Sequence, residues 1–368
     1  MKFIITQKQS VRLIKEALGV PKPIEFWVDT FSALVKDGLM MLLSSEDREV
    51  FFEGGDVQDK AVSLGWNSLN KNFSDFPLAE PQLNLQIEIV PDNVIRNGGD
   101  YIMNASFDTE DISLRDATFE EGRTIPLLVG GTINIELRIP ESSYDNGSFV
   151  ELFDTDIKPY AESVLFHELT HVYEFYKRIL SNSATPNFEQ VANLTQMLNK
   201  MGAVDDWDEL MFLIYLHLSF ELNARVSEVY GLVRNKNIKS KEEFIDFLKS
   251  SSAWSYAKRL KNFTTENFIK DFDVPQETID RIREYDGKET PIEEIKDIVL
   301  SQLIENWSIT YQDFLKDFSA DETLKIPNLS PEVTSTPNNF LKFWERRFNK
   351  AGEDSLRKIS RLYIFISN

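Results

Sequence analysis

Two of the three histidines in this chain, His167 and His171, stand four residues apart in the motif His167-Glu-Leu-Thr-His171. Residues at i and i+4 share one face of an α-helix, so both imidazoles can bind a single metal ion. Glu168 is placed beside that face, where it can hold a water molecule at the metal, take its proton and pass it to a leaving amine. The spacing therefore predicts a Zn²⁺ site that hydrolyses an amide bond.

A catalytic zinc site needs a third protein ligand, and the apolar segment 208–230 offers candidates. The segment is apolar nearly all round, which predicts a buried helix. Four ionisable side chains share one of its faces, at i, i+4, i+8 and i+11: His217, Glu221, Arg225 and Glu228. Burying such groups costs free energy unless they pair or bind a metal. We favour Glu221 over His217 as the third ligand, with Arg225 holding its free oxygen. A buried ladder of salt bridges is the alternative.

Amide hydrolysis also needs a donor or cation for the oxygen that gains negative charge. His217 and Arg225 are the two candidates on the polar face, and we predict catalytic roles for them beside Glu168. The hydroxyls of Tyr215 and Tyr230 are further candidates. The sequence leaves the choice among these four donors open.

The surrounding elements predict an α+β protein that is mostly helical. Alternating apolar and polar residues predict three strands with one buried face, at 83–89, 101–107 and 133–139. The acidic stretch 108–121 lacks the spacing of a metal-binding loop and is predicted to be a solvated loop. Helical periodicity predicts helices at 7–18, 24–43, 159–179, 188–201, 207–233, 241–261, 275–285, 291–318 and 338–363.

The two helices with the candidate ligands resemble those of the zincin metallopeptidases. The motif HELTH, followed by Glu221 in the segment Glu-Leu-Asn-Ala-Arg, is similar to the gluzincin arrangement of two histidines and a downstream glutamate on zinc. The resemblance covers residues 82–232. It implies a zincin-like core with a small mixed sheet, and a strand at the sheet edge, here 132–139, that holds extended peptide. The metzincin extension of the motif is absent, because Glu174 occupies the place of its glycine.

Three regions follow from these patterns: a mainly helical region 1–80, a zincin-like catalytic domain 81–236 and a helical region 237–368. The predicted function is that of a zinc-dependent metallopeptidase acting on a peptide or protein, with the C-terminal helices as a wall of the cleft or a surface for a protein partner. A toxin-like peptidase differs from this only in substrate and localisation. The alternative from another class is a virion or assembly protein on a zincin scaffold, whose metal is structural or inactive. The opening MKFIITQKQ also resembles the starts of some phage-encoded proteins.

The composition of the chain limits the kinds of partner, covalent cross-link and cellular location that we predict. The 368 residues carry a net charge of −20, which repels nucleic acid and anionic membranes, so neither is a predicted partner. The chain has no cysteine, which excludes disulfides and thiolate metal sites. No apolar segment has the length of a signal peptide or a membrane span, so the predicted location is the cytoplasm, with virion association as the alternative.

Overall fold

The computed structural model shows an α+β chain in which helices predominate. It describes residues 22–43, 48–52, 82–92, 102–108, 112–118, 124–140, 153–180, 205–234, 236, 238, 240–286, 289–318 and 327–363. The chain forms two compact units. The first comprises Met1–Ser181, Asn223–Lys241 and Leu362–Asn368, and the second comprises Asn182–Leu222 and Glu242–Arg361.

Five strands and ten α-helices lie within the described residues. The strands are β1 (Glu49–Phe52), β2 (Gln82–Asp92), β3 (Ile102–Asp108), β4 (Ser113–Thr118) and β5 (Thr124–Pro140). The helices are α1 (Lys22–Leu43), α2 (Lys158–Leu180), α3 (Asp205–Leu216), α4 (Ser219–Arg234), α5 (Lys241–Lys249), α6 (Ser252–Asn262), α7 (Thr265–Asp271), α8 (Gln276–Asp286), α9 (Ile292–Phe318) and α10 (Pro337–Arg361). None of these helices combines the length and apolar character needed to cross a membrane.

The first unit is built on one mixed sheet of order β1-β2-β5-β3, with β4 beside β5. Strands β2 and β5 are parallel, and the other neighbours are antiparallel. The alternation in the sequence gives the sheet one apolar face, which places Ile87 and Ala105 in register with Ile135 on its two sides. Helix α2 packs near β3, and α1 packs on α2, so the sheet supports the helix that carries the HExxH motif.

Two glycines bend β5 where its antiparallel partner changes from β4 to β3. Gly130 and Gly131 have φ values of 87° and 80°, in the left-handed region that favours glycine. The register with β2 shifts at the same place, which is the mark of a β-bulge. A side chain at position 131 would also meet Ile112 at 2.8 Å. The bend lets one long strand pair with β4 before it and with β3 after it.

Helices α1, α2 and α4 are held together by buried polar contacts. Arg234 of α4 donates to Glu162 of α2 at 3.0 Å and also to Asp29 of α1. The side chain of Glu162 is only 1% exposed, so this ion pair neutralises a carboxylate inside the unit. The hydroxyl of Tyr230 on α4 donates to Glu25 of α1. These contacts fix the position of α4 beside the HExxH helix.

The second unit has an aromatic core. Trp307 stacks on Tyr311 with ring centroids 4.5 Å apart, and Trp344 stacks on Phe348 at 5.7 Å. These rings, with Trp207 and Phe340, are almost fully buried. Aromatic side chains bury a large area each, so they dominate the stability of this helical unit.

The structure confirms the mostly helical α+β class and all three predicted strands. Strand β1 and helix α7 were not predicted, and three of the predicted elements differ from the structure. The predicted helix 207–233 is broken at His217 and Leu218, and 241–261 contains two helices separated at Ser250 and Ser251. The prediction of a loop over 108–121 is wrong for Ser113–Thr118, which pairs with β5. The predicted helices 7–18 and 188–201 lie outside the described residues.

A further difference concerns topology. The prediction that strand 132–139 is a sheet edge is wrong, because β5 pairs with β2 on one side and with β3 on the other. Helix α1 packs directly on α2 within the first unit. The physical reason is the apolar face of α1, whose buried residues include Trp27 and Phe31.

We expect Gly231→Ala to destabilise the first unit. A Cβ at position 231 would lie 2.7 Å from Cδ2 of Phe166 and 2.9 Å from Cα of Ser163, a backbone atom that cannot simply move aside. Overpacking of this kind costs about 1–3 kcal/mol, whereas alanine in an uncrowded helix gains about 0.5–1 kcal/mol over glycine. Urea denaturation measures the difference, with Ser360→Ala at an exposed helical position as the control. A Gly231→Ala variant as stable as the wild type would contradict the close packing of α2 and α4.

Candidate metal centre

The two motif histidines meet on one face of α2, as the spacing predicts. The Nε2 atoms of His167 and His171 are 3.1 Å apart, and the two rings are nearly perpendicular, at 81°. The side chains are buried, with 7% and 8% of their surfaces exposed. Leu165 and Leu169 on the same helix are fully buried in the core, which holds the motif helix in place. Both imidazoles therefore present the same nitrogen to one point.

Glu221 completes a three-residue cluster. One ligand atom from each of His167, His171 and Glu221 can be chosen so that all three lie within 4.8 Å of one another. Ligands about 2.0–2.1 Å from a tetrahedral zinc ion stand about 3.3 Å apart, which is close to the separation of the two Nε2 atoms. Glu221 is fully buried in the first turn of α4. The donor set of two imidazoles and one carboxylate fits a divalent metal such as zinc.

Glu228 approaches the cluster from the second helix. Its Oε2 atom lies 3.5 Å from Nδ1 of His167 and accepts a hydrogen bond from Nη1 of Arg225 at 2.9 Å. A carboxylate at the second ring nitrogen fixes the tautomer and orientation of a metal-binding histidine. The sequence predicted no role for Glu228 in the metal site. Its place on the polar face, at i+7 from Glu221, was the signal that could have found it.

The charges around the cluster favour a cation. Glu221 and Glu228 bring two carboxyl groups close to the histidines, and Glu168 follows His167 directly on the motif helix. The guanidinium of Arg225, bound to Glu228, balances one of them. Carboxylates beside two imidazole nitrogens attract a divalent cation more than an anion or a neutral ligand.

Tyr215 holds the third candidate ligand. Its hydroxyl donates to Oε2 of Glu221 at 2.7 Å. The sequence predicted Arg225 in this role, whereas the structure shows Arg225 bound to Glu228. The difference arises because the break at His217 and Leu218 brings the end of α3 back to the start of α4. Tyr215 therefore orients the carboxylate that faces the histidines.

His217 lies away from the cluster, in the aromatic core of the second unit. Its ring centroid is 5.0 Å from that of Trp344 and 5.8 Å from that of Phe348. Its Nδ1 atom contacts the carbonyl oxygen of Ile214. Burial among these side chains lowers the pKa of His217 to about 4. The structure thus does not bring His217 to the site where the sequence predicted a catalytic role, because the helix break turns it to another face.

Of the two remaining candidates, Glu168 lies on the motif helix and Tyr230 contacts α1. Glu168 is buried, with 6% of its surface exposed, next to His167 on the motif helix. Tyr230 donates to Glu25, and burial, followed by the nearby charge of Glu25, raises the pKa of its hydroxyl. Tyr230 therefore serves the packing of α4 on α1. The structure brings together His167, His171, Tyr215, Glu221, Arg225 and Glu228, and Glu168 follows His167 on the motif helix.

Comparison with known proteins gives no independent support for a particular family. No protein-family description matches the chain, and no curated protein or solved structure is significantly similar to it. The chemistry of the cluster therefore has to be argued from its own residues.

The pKa of His217 predicts a loss of stability in mild acid. The folded chain disfavours the proton on this ring, so between pH 6.5 and about 4 the unfolded chain binds more protons, and stability falls as the pH decreases through that range. Through His217 alone, the free energy of unfolding should be about 2 kcal/mol lower at pH 5 than at pH 7. Urea denaturation at pH 7 and pH 5 measures it, with His217→Phe as the variant that keeps a ring but cannot titrate. Equal losses in the variant and the wild type would contradict the assignment.

Proposed function

We propose that this protein is a zinc-dependent metallopeptidase with a zincin-like core. One observation carries the proposal: the clustering of His167, His171 and Glu221, from two helices, beside the glutamate of the HExxH motif. His167 and His171 would each hold the metal through Nε2, and Glu221 through a carboxylate oxygen. Zinc bound there would act as a Lewis acid toward the scissile carbonyl and lower the pKa of a water molecule.

Glu168 is the residue proposed for proton transfer. It follows His167 directly, so its carboxylate can take a proton from the attacking water and pass it to the amine that leaves. Its side chain is buried, which strengthens the electrostatic interactions of this carboxylate. Arg225 remains the candidate for stabilising negative charge on the substrate oxygen, since it lies one turn from Glu221 on α4.

The sheet suggests where a peptide substrate would bind. Each residue of β3 is in register with one of β5, and among the described residues no strand pairs with the other edge of β3. Helix α2 packs near β3, so an extended peptide added to that edge would run close to the motif helix. Main-chain hydrogen bonds at a sheet edge are a common means of peptide recognition. We therefore assign the substrate strand to the edge of β3, in place of strand 132–139.

A structural metal site is the second candidate function. The high burial of the cluster supports it, because His167, His171 and Glu221 are at most 8% exposed, and structural zinc sites are closed. The presence of Glu168 beside the cluster favours catalysis, since a structural site needs no general base. An assay of peptide hydrolysis distinguishes the catalytic site from the structural site. A protein that retains its metal but hydrolyses no peptide would have a structural site.

The ligand assignment predicts a pattern of zinc loss. His167→Ala, His171→Ala and Glu221→Ala should each lower zinc affinity by more than about 100-fold, because each removes a direct ligand. His217→Phe is the matched control and should keep one zinc per chain. Metal analysis after dialysis against a weak chelator measures the result. Zinc kept by Glu221→Ala and lost from His217→Phe would reverse the assignment of the third ligand.

Glu168→Gln tests the catalytic role separately. Glutamine keeps the shape of the side chain but cannot accept the proton, so hydrolysis should fall by about 10²–10⁴-fold. Zinc content and thermal stability should stay close to those of the wild type. The assay compares cleavage of a mixed peptide library by the wild type and the variant, followed by mass spectrometry. Turnover within a few-fold of the wild type would refute the general-base role.

A further inference from the structure

Helices α6 and α10 are strongly basic in an otherwise acidic protein. Together they carry ten Lys or Arg side chains and three Asp or Glu, a net charge of +7, whereas the whole chain has −20. The two helices cross closely at Gly352, where a Cβ would lie 2.4 Å from the backbone nitrogen of Lys261. The second unit thus concentrates positive charge on one pair of packed helices.

The exposed cations of α10 form one row. Its core-facing side chains include Phe340, Trp344, Phe348 and Ile359, which are fully or almost fully buried. The opposite side of the helix carries the exposed residues Lys342, Arg346, Lys350, Arg357 and Arg361. Their separations of four or seven residues keep them on one face, over a length of about 28 Å. The row therefore points directly away from the core.

Most of these cations have no counterion among the residues that the structure describes. Among the described residues, Lys342, Arg346, Lys350 and Arg361 form no ion pair, whereas Arg357 pairs with Asp354. Like charges about 6 Å apart along a helix repel one another. A chain with 60 acidic residues could supply partners for such a row, yet its described part supplies none for these four exposed cations. A negatively charged partner would remove the repulsion.

Glu353 identifies the kind of partner. It is exposed in the same row, between Lys350 and Arg357, so the charge pattern reads three cations, one anion and two cations. The phosphates of a nucleic acid or the headgroups of an anionic membrane are uniformly negative and would be repelled at Glu353. A polypeptide can place a basic side chain opposite it. The net charge of the whole chain also repels extended polyanions more than a short segment.

We propose that the exposed face of α10 binds an acidic helical segment of another protein. The segment carries Asp or Glu opposite the five cations and one Lys or Arg opposite Glu353. None of these residues belongs to the metal cluster, and the proposal does not depend on the proposed hydrolysis. The ion pairs are exposed, so the affinity falls as the salt concentration rises.

Designed peptides test the charge pattern. The probes are fluorescent alanine-rich helices of about 22 residues with Glu at i, i+4, i+8, i+15 and i+19 and Lys at i+11, together with the reversed order and a scramble of equal composition. Fluorescence anisotropy is measured with the full chain at low salt. Of the two patterned peptides, forward and reversed, the one that binds more tightly should bind roughly tenfold more tightly than the scramble. Glu353→Lys should weaken this binding but strengthen that of a single-stranded oligonucleotide.

A charge-reversal variant locates the binding surface. Lys342→Glu/Arg346→Glu/Lys350→Glu should abolish binding of the ordered peptide, whereas an equal charge change at exposed positions elsewhere in the unit should have a much smaller effect: Lys249→Glu/Lys270→Glu/Arg281→Glu. Equal losses in both variants would overturn the proposal, as would equal binding of ordered and scrambled peptides or no binding of either. If the wild type binds the oligonucleotide or phosphatidylserine vesicles more tightly than the patterned peptide, the proposed protein partner is wrong and that ligand takes its place. If the wild type self-associates and only the first variant loses this self-association, the partner is a second copy of this chain.

Discussion

The meeting of two imidazoles and a buried carboxylate from two helices is the constraint on which the site depends. Glu168, Glu221 and Glu228 lie on buried or half-buried faces of α2 and α4, and Arg225 is paired with Glu228. Ionisable groups inside a protein cost free energy unless they pair or bind a metal. A divalent cation held by the imidazole nitrogens and the carboxylate of Glu221 would therefore contribute to the stability of the fold as well as to the proposed chemistry.

The positions of α2 and α4 determine whether these groups can meet. Gly231 allows the two helices to approach until backbone atoms are in contact, and Arg234 neutralises the buried Glu162 next to that contact. The apolar residues of α2 then pack the motif helix against the sheet and α1. The same contacts that stabilise the first unit thus orient His167 toward Glu228. Stability and the geometry of the cluster have a common origin in this packing.

The short-range features were predictable from the sequence, and the long-range ones were not. The spacing of His167 and His171 determines their common face, because helical periodicity is local. The preference for Glu221 over His217 followed from charge, and the cluster agrees with it. The break after Leu216 was not predictable, because residues 207–233 are apolar without Gly or Pro before Gly231. The pairing of β5 on both sides depends on strands distant in sequence, so the edge strand was misassigned.

X-ray absorption at the zinc edge of the purified, zinc-loaded chain tests the central claim most directly. The scattering pattern distinguishes imidazole rings from carboxylate oxygens and counts the rings around the metal. The cluster predicts two imidazoles at about 2.0–2.1 Å, with the remaining ligands oxygen. Three imidazoles would place His217 on the metal and contradict the arrangement of α3 and α4. One imidazole or none would show that the HExxH histidines do not form a metal site.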